Sequence, residues 1–146
     1  MKHKEAAELL IVEDNPNDLE LTLRVLRKSK VARTIQIVKD GAEALDYLFG
    51  RGHFVQDTPA LPKVIFLDLK LPKVDGMEVL RQIKAQERTR AIPVVMLTSS
   101  QQERDVAESY RLGVNSYIVK PVDFSKFADS IAQLGTYWLS LNHPYR

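Results

Sequence analysis

Five polar residues stand at the ends of short apolar runs: Glu13 and Asp14 after Leu9 to Val12, Asp68 after Val64 to Leu67, Thr98 after Val94 to Leu97, and Lys120 after Tyr117 to Val119. Carboxylates, a hydroxyl and an ammonium are the groups a phosphoryl-handling site needs. Three carboxylates crowded together repel, and burial drives them towards the protonated form. A hard divalent cation relieves that conflict. Mg²⁺ takes oxygen ligands in octahedral geometry and retains several waters, which suits two carboxylates, a backbone carbonyl and a phosphoryl oxygen. Asp14 and Asp68 read as direct ligands and Glu13 as the holder of a coordinated water. Asp68 reads as the nucleophile. Phosphoryl transfer depends on positioning and charge stabilisation, for which Lys120 offers a cation and Thr98 a hydrogen-bond donor.

Each of these residues alone has an ordinary reading: Asp68 as a turn or cap residue, Lys120 as a surface lysine, Thr98-Ser99-Ser100 as a helix cap. Their convergence depends on the elements that carry them. Short continuous apolar runs alternating with helical patterns read as buried parallel strands, and in open parallel sheets the ligand crevice lies beyond the carboxyl ends of the strands. Asn15-Pro16 is a helix start, followed by Leu19, Leu23 and Leu26 at helical spacing. Ile35 and Ile37 mark a further strand, and Asp40-Gly41 leads into a helix carrying Ala44, Leu45 and Leu48. Residues 50–63, with two glycines and two prolines, read as a loop. Asp75-Gly76 precedes a helix with Val79, Leu80 and Ile83; Val106 and Tyr110 support another, which Gly113 can terminate; the last helix starts near Asp123. Five strand-helix alternations predict a doubly wound α/β domain with helices on both faces.

The 146 residues suffice for one domain, 1–146, with a longer C-terminal helix and tail from about residue 123. The net charge of +2 is mild and no Lys/Arg cluster gathers on one stretch, so direct nucleic-acid binding is not expected. With no cysteine, disulfides, thiol catalysis and thiolate zinc sites are excluded. His3, His53 and His143 are scattered and make no metal or phosphohistidine site. No apolar run approaches the ~20 residues that span a bilayer, so a cytoplasmic setting without membrane association is expected.

Glu13-Asp14, Asp68, Thr98 and Lys120-Pro121, in this order at successive strand ends, together with LDLKLPKVDGMEVL, resemble the receiver domain of two-component response regulators over nearly the whole chain. The resemblance implies a flavodoxin-like five-stranded parallel sheet in the order 2-1-3-4-5 with five helices. It implies that Asp68 accepts a phosphoryl group from a partner histidine kinase, that the protein catalyses its own phosphorylation and dephosphorylation, that the Lys70 carbonyl is a backbone metal ligand, and that the Lys120-Pro121 bond is cis. It also implies a switch in which Thr98 is drawn to the phosphoryl group and Tyr117 moves, altering the surface of the fourth helix, fifth strand and fifth helix. More narrowly, the 50–63 loop and the segments IPVVMLTSS, SYRLGVNSYIVK and YWLS resemble single-domain regulators that serve bacterial phytochrome histidine kinases.

Other function classes share these ingredients. A Mg²⁺-dependent aspartyl phosphohydrolase wants a second acid two residues after its nucleophile, where Lys70 stands; a mononucleotide or flavin binder wants a glycine-rich phosphate loop, which is missing. A phosphorelay intermediate, or an adaptor with a vestigial acidic pocket, completes the alternatives.

Two surfaces are expected to meet partners. If Leu19, Leu23 and Leu26 face the core, Leu21 and Val25 fall on another side of the first helix and could dock the kinase. Phe124, Ile131 and Trp138 recur every seven residues, as do Phe127, Leu134 and Leu141. Phe124, Phe127 and Ile131 are expected to pack on the sheet, while the continuation through Tyr137, Trp138 and Leu141 reads as part of a homodimer built on the fourth helix, fifth strand and fifth helix.

Overall fold

The computed structural model describes residues 7–30, 32, 34–55, 61–120 and 124–143. Five parallel strands form one sheet: β1 (Leu9–Val12), β2 (Ile35–Val38), β3 (Val64–Leu67), β4 (Val94–Thr98) and β5 (Ser116–Val119), in the order β2-β1-β3-β4-β5. The strands alternate with α1 (Pro16–Ser29), α2 (Gly41–Phe49), α3 (Gly76–Ala85), α4 (Glu103–Arg111) and α5 (Phe124–Thr136). This is the expected flavodoxin-like arrangement. The central strands β1, β3 and β4 are buried throughout, as sheets covered on both faces require, whereas the edge strands β2 and β5 are largely half-buried.

Side chains alternate across the sheet and divide the core in two. Leu10, Val12, Ile65, Leu67, Val94 and Met96 pack with Leu45, Leu48, Leu80 and Ile83 of α2 and α3. Leu9, Ile11, Phe66, Val95 and Leu97 pack with Leu26 of α1 and with Phe127 and Ile131 of α5. Helix starts follow local chemistry. The Asn15 side chain accepts from the N–H groups of Asn17 (2.9 Å) and Asp18 (3.1 Å), with Pro16 opening α1. Asp40 and Asp75 cap α2 and α3 in the same way, accepting from Glu43 (2.7 Å) and Glu78 (3.0 Å).

Two helix-face expectations need correction. In α1 the buried seam is Thr22 and Leu26, the Thr22 hydroxyl being satisfied by the Asp18 carbonyl at 2.9 Å. Leu19, Leu21, Leu23 and Val25 are all half-buried against the same apolar cluster, so Leu21 and Val25 do not form a separate free face. The expected fourth helix is present as α4; its Tyr110 is 52% exposed and its buried Ser109 donates its hydroxyl to the Asp105 carbonyl at 2.8 Å.

The second correction is at the C-terminus. Phe127 and Ile131 are core residues, as expected, but α5 passes into a π-helical turn over Tyr137–Leu141, closed by the Asn142 N–H on the Tyr137 carbonyl at 2.6 Å. Widening the turn means that a seven-residue repeat no longer returns to one face. Trp138 is half-buried against the α1/α5 cluster while Leu141 is 71% exposed, so the expected continuous seam is broken. Tyr137 is exposed and meets Trp138 edge to face at 4.8 Å. The Phe124 side chain and Pro121, including the cis Lys120-Pro121 expectation, lie outside what the structure describes.

Candidate functional site

The carboxyl ends of β1 and β3 lie side by side, with Val12 paired to Leu67, so Glu13-Asp14 and Asp68 leave the sheet together. The Asp68 N–H continues the ladder to the Val12 carbonyl at 3.1 Å. Glu13, Asp14 and Asp68 each bring a carboxylate oxygen within 4.8 Å of the others. Glu13 and Asp68 are buried and Asp14 is exposed, an arrangement of hard oxygen donors with one open side. These donors fit a divalent cation with retained waters.

Lys120 enters from β5. Its N–H bonds the Thr98 carbonyl at 2.7 Å, which fixes the end of β5 beside the end of β4. Its ammonium donates to Glu13 Oε1 at 2.6 Å, Asp18 Oδ2 at 2.9 Å and Asp68 Oδ2 at 3.2 Å. Burial opposes that charge, but the bonds to Glu13 and Asp18 and the charges of Glu13 and Asp68 outweigh it, so the ammonium is held above the ordinary lysine range. Glu13 is pushed up to about 7, first by burial and then by its contact with Asp68, against the downward pull of Lys120. Its Oε2 accepts the Asn15 N–H at 3.2 Å, and Asp68 Oδ1 accepts the Lys70 N–H at 3.3 Å.

Thr98 is buried at the end of β4, its hydroxyl oxygen accepting the Ser100 N–H at 3.2 Å. The Tyr117 hydroxyl donates to the Ser100 carbonyl at 3.0 Å, and the Ser100 hydroxyl donates to Asp105 at 2.6 Å. The half-buried Tyr117 ring is therefore tied to the β4–α4 loop. Lys70 is exposed and lines a cavity of about 870 Å³ with Leu69, Asp75, Gln102, Arg104 and Asp105. That cavity lies between the β3–α3 loop and α4, beside the carboxylates rather than over them. Leu19 and Leu23, with Arg24, Arg27 and Lys39, border a second cavity of about 500 Å³ next to Asp14; Leu21 and Val25 do not.

The five residues singled out in the sequence thus stand at neighbouring strand ends, and the Lys120 ammonium is in contact with the Glu13 and Asp68 carboxylates. Asp18 and Ser100 were missed. Asp18 sits in the first turn of a helix, where an acid is already explained by the helix dipole. Only the tertiary fold reveals that it also reaches the ammonium of a residue 102 positions away.

Residues 9–132 match the model of the response regulator receiver domain. Among curated proteins, the chain is 42% identical to the probable methanogenesis regulatory protein FilR2 of Methanothrix harundinacea, covering 92% of this chain and 84% of that one. Among solved structures, the phosphorylated cyanobacterial phytochrome response regulator RcpA is 37% identical, with a TM-score of 0.88 over 97% of this chain and 99% of that one. The Mn²⁺-bound form of response regulator Rcp1 is 36% identical, also with a TM-score of 0.88, over 94% of this chain and 98% of that one. By its sequence, sheet order and acidic cluster, the chain belongs to the response regulator receiver family.

Proposed function

We propose that this chain is a single-domain two-component response regulator, residues 1–146, in which Asp68 accepts a phosphoryl group from the phosphohistidine of a histidine kinase in a Mg²⁺-dependent reaction. The observation that carries the reading is the buried Asp68 carboxylate, with Lys120 at 3.2 Å and the Glu13 and Asp14 oxygens within 4.8 Å. An oxygen of Asp68 bonds to phosphorus as the P–N bond breaks, and the electron pair of that bond returns to the departing imidazole. Lys120 neutralises the phosphoryl oxygens, Thr98 donates to one of them, and the Lys70 N–H orients Asp68 through its other oxygen. Glu13, Asp14, Asp68 and the Lys70 carbonyl would hold Mg²⁺, which when bound supplies charge neutralisation at the phosphoryl oxygens. Hydrolysis of the acyl phosphate in the same pocket resets the protein.

The readout is a population shift. Thr98, recruited by the phosphoryl group, draws on the β4–α4 loop that holds the Tyr117 hydroxyl, and the α4–β5–α5 surface changes. Homodimerisation through the C-terminal segment fits the exposed Tyr137 and Leu141, with half-buried Trp138 as their support. Leu19 and Leu23 border the open cavity beside Asp14 and so suit kinase docking better than Leu21 and Val25. The kinase is taken to be of the phytochrome type and the setting cytoplasmic. The likeness to RcpA supports the pathway, and no helix among the described residues is long and apolar enough to cross a membrane.

The test is competitive transfer. Several phosphorylated histidine kinases, one of phytochrome type, are offered to the protein with Mg²⁺ or with a chelator. Fastest transfer from the phytochrome kinase, abolished by the chelator, is expected. Equal transfer from all kinases would refute the pathway, and transfer unaffected by chelation would refute the metal-dependent chemistry.

A further inference from the structure

Lys120 has three ammonium hydrogens and three carboxylate partners, Glu13, Asp18 and Asp68. Two of the three belong to the cluster suited to a cation; Asp18 does not. The distinction matters because Lys120 and a divalent cation are both positive and would draw on the same carboxylates, Glu13 and Asp68. As those carboxylates are engaged, their hold on Lys120 weakens and the ammonium is repelled towards solvent. The Asp18 carboxylate remains at 2.9 Å, on a different element, α1, with the Lys120 side chain only 11% and its own 33% exposed. Its backbone is fixed by the Asn15 cap, and its carbonyl by the Thr22 hydroxyl, so the carboxylate is presented from a rigid turn.

We propose that Asp18 is a positioning residue that keeps Lys120 aimed at Asp68 when Glu13 and Asp68 are engaged by a divalent cation, thereby tying the first turn of α1 to the chemistry of the pocket. The inference rests on the reading of Lys120 as the group that neutralises the phosphoryl oxygens. Since an ammonium has three donors, Lys120 can keep Asp18 on one while presenting another to a phosphoryl oxygen on Asp68. The arrangement needs no change of backbone.

The experiment measures Lys120 directly. Wild type, Asp18→Asn and Asp18→Glu are exposed to a water-soluble acetylating reagent with and without Mg²⁺, and modification of Lys120 is quantified by mass spectrometry. Wild type should stay protected in both conditions. Asp18→Asn should be labelled about ten-fold faster with Mg²⁺, the size expected for loss of one charge-assisted hydrogen bond, and Asp18→Glu should restore protection. Labelling of Asp18→Asn that matches wild type in Mg²⁺ overturns the proposal. Phosphorylation by acetyl phosphate supplies a second arm: Asp18→Asn should slow it in the wild-type background and have no further effect in Lys120→Ala. An undiminished effect in Lys120→Ala means that Asp18 acts other than through Lys120, and overturns the proposal as well. Wild-type rates in Lys120→Ala itself would instead refute the role given to Lys120, a separate failure that the labelling result does not share.

Discussion

Replacing Gly76 with alanine separates intrinsic helix preference from the fit of α3 against the active strand end. Gly76 opens α3, where alanine is intrinsically favoured over glycine by about 1 kcal/mol. An added Cβ, however, would lie 2.0 Å from the Asp68 carbonyl oxygen and 2.8 Å from Leu69 Cα. Both obstacles are backbone, so no rotamer change relieves them. The helix start must back away, stretching the 2.7 Å bond from the Gly76 N–H to the Leu69 carbonyl. Overpacking costs about 1–3 kcal/mol and a lost hydrogen bond about 1, so a net loss of about 1–3 kcal/mol is expected after the propensity gain. For a chain of this size that lowers the melting temperature by about 3–10 °C. Because the displaced atoms belong to Asp68 and Leu69, divalent-cation affinity should fall too. Thermal unfolding by circular dichroism and calorimetric titration with Mg²⁺ measure the two effects. Gly113→Ala is the control: it strains a backbone at φ +103° but meets only the Lys84 side chain at 3.4 Å, so it should cost stability and spare cation binding. A Gly76→Ala protein that melts with wild type and binds Mg²⁺ equally would refute the reasoning.

Lys84 should make stability depend on alkaline pH. Its ammonium donates to the Arg90 and Ile92 carbonyls and to Asn115, with no carboxylate among those acceptors, and burial lowers its pKa to about 8 from 10.5. The unfolded chain therefore binds the proton more tightly between these values, and stability rises with pH across that window. After discounting for solvent screening, wild type should gain about 1–2 kcal/mol relative to Lys84→Met by urea unfolding at neutral pH and near pH 10.5; no difference would refute it. Lys70→Ala should shorten the acyl phosphate lifetime about two- to five-fold, less than 1 kcal/mol of barrier, by opening the approach of water beside Asp68; an equal or longer lifetime in saturating Mg²⁺ counts against the idea. Light scattering should detect a dimer that Leu141→Ser weakens; a wild-type monomer with and without phosphorylation contradicts that interface.

The strands were legible because β1, β3 and β4 are short, continuous apolar runs that stop at a polar residue, and parallel packing leaves little else for such runs to do. The site followed from those stops, since Thr98 ends β4 and Glu13-Asp14, Asp68 and Lys120 come directly after β1, β3 and β5. Helix faces were harder to read. In α1, leucine or valine at five nearby positions gives competing phases, and the buried seam includes Thr22, whose hydroxyl is silenced by a backbone carbonyl. In α4, Ser109 is buried for the same reason, while Tyr110 is not. The π turn after α5 has no sequence signal of its own, so a heptad count carried across it placed Leu141 and Trp138 on one face. Asp18 was hidden by a sufficient local explanation, its place in the first turn of a helix. Its contact with Lys120 joins α1 to β5, a pairing that only the completed sheet defines.

Chemical trapping tests without mutation whether Asp68 carries the phosphoryl group. The protein is phosphorylated with acetyl phosphate and Mg²⁺, treated with borohydride, which reduces an aspartyl phosphate to homoserine, and digested for mass spectrometry. Conversion confined to position 68, and absent when Mg²⁺ is chelated, is the predicted result. Conversion at Asp14 or Asp18 with position 68 intact would show that Asp68 is not the acceptor.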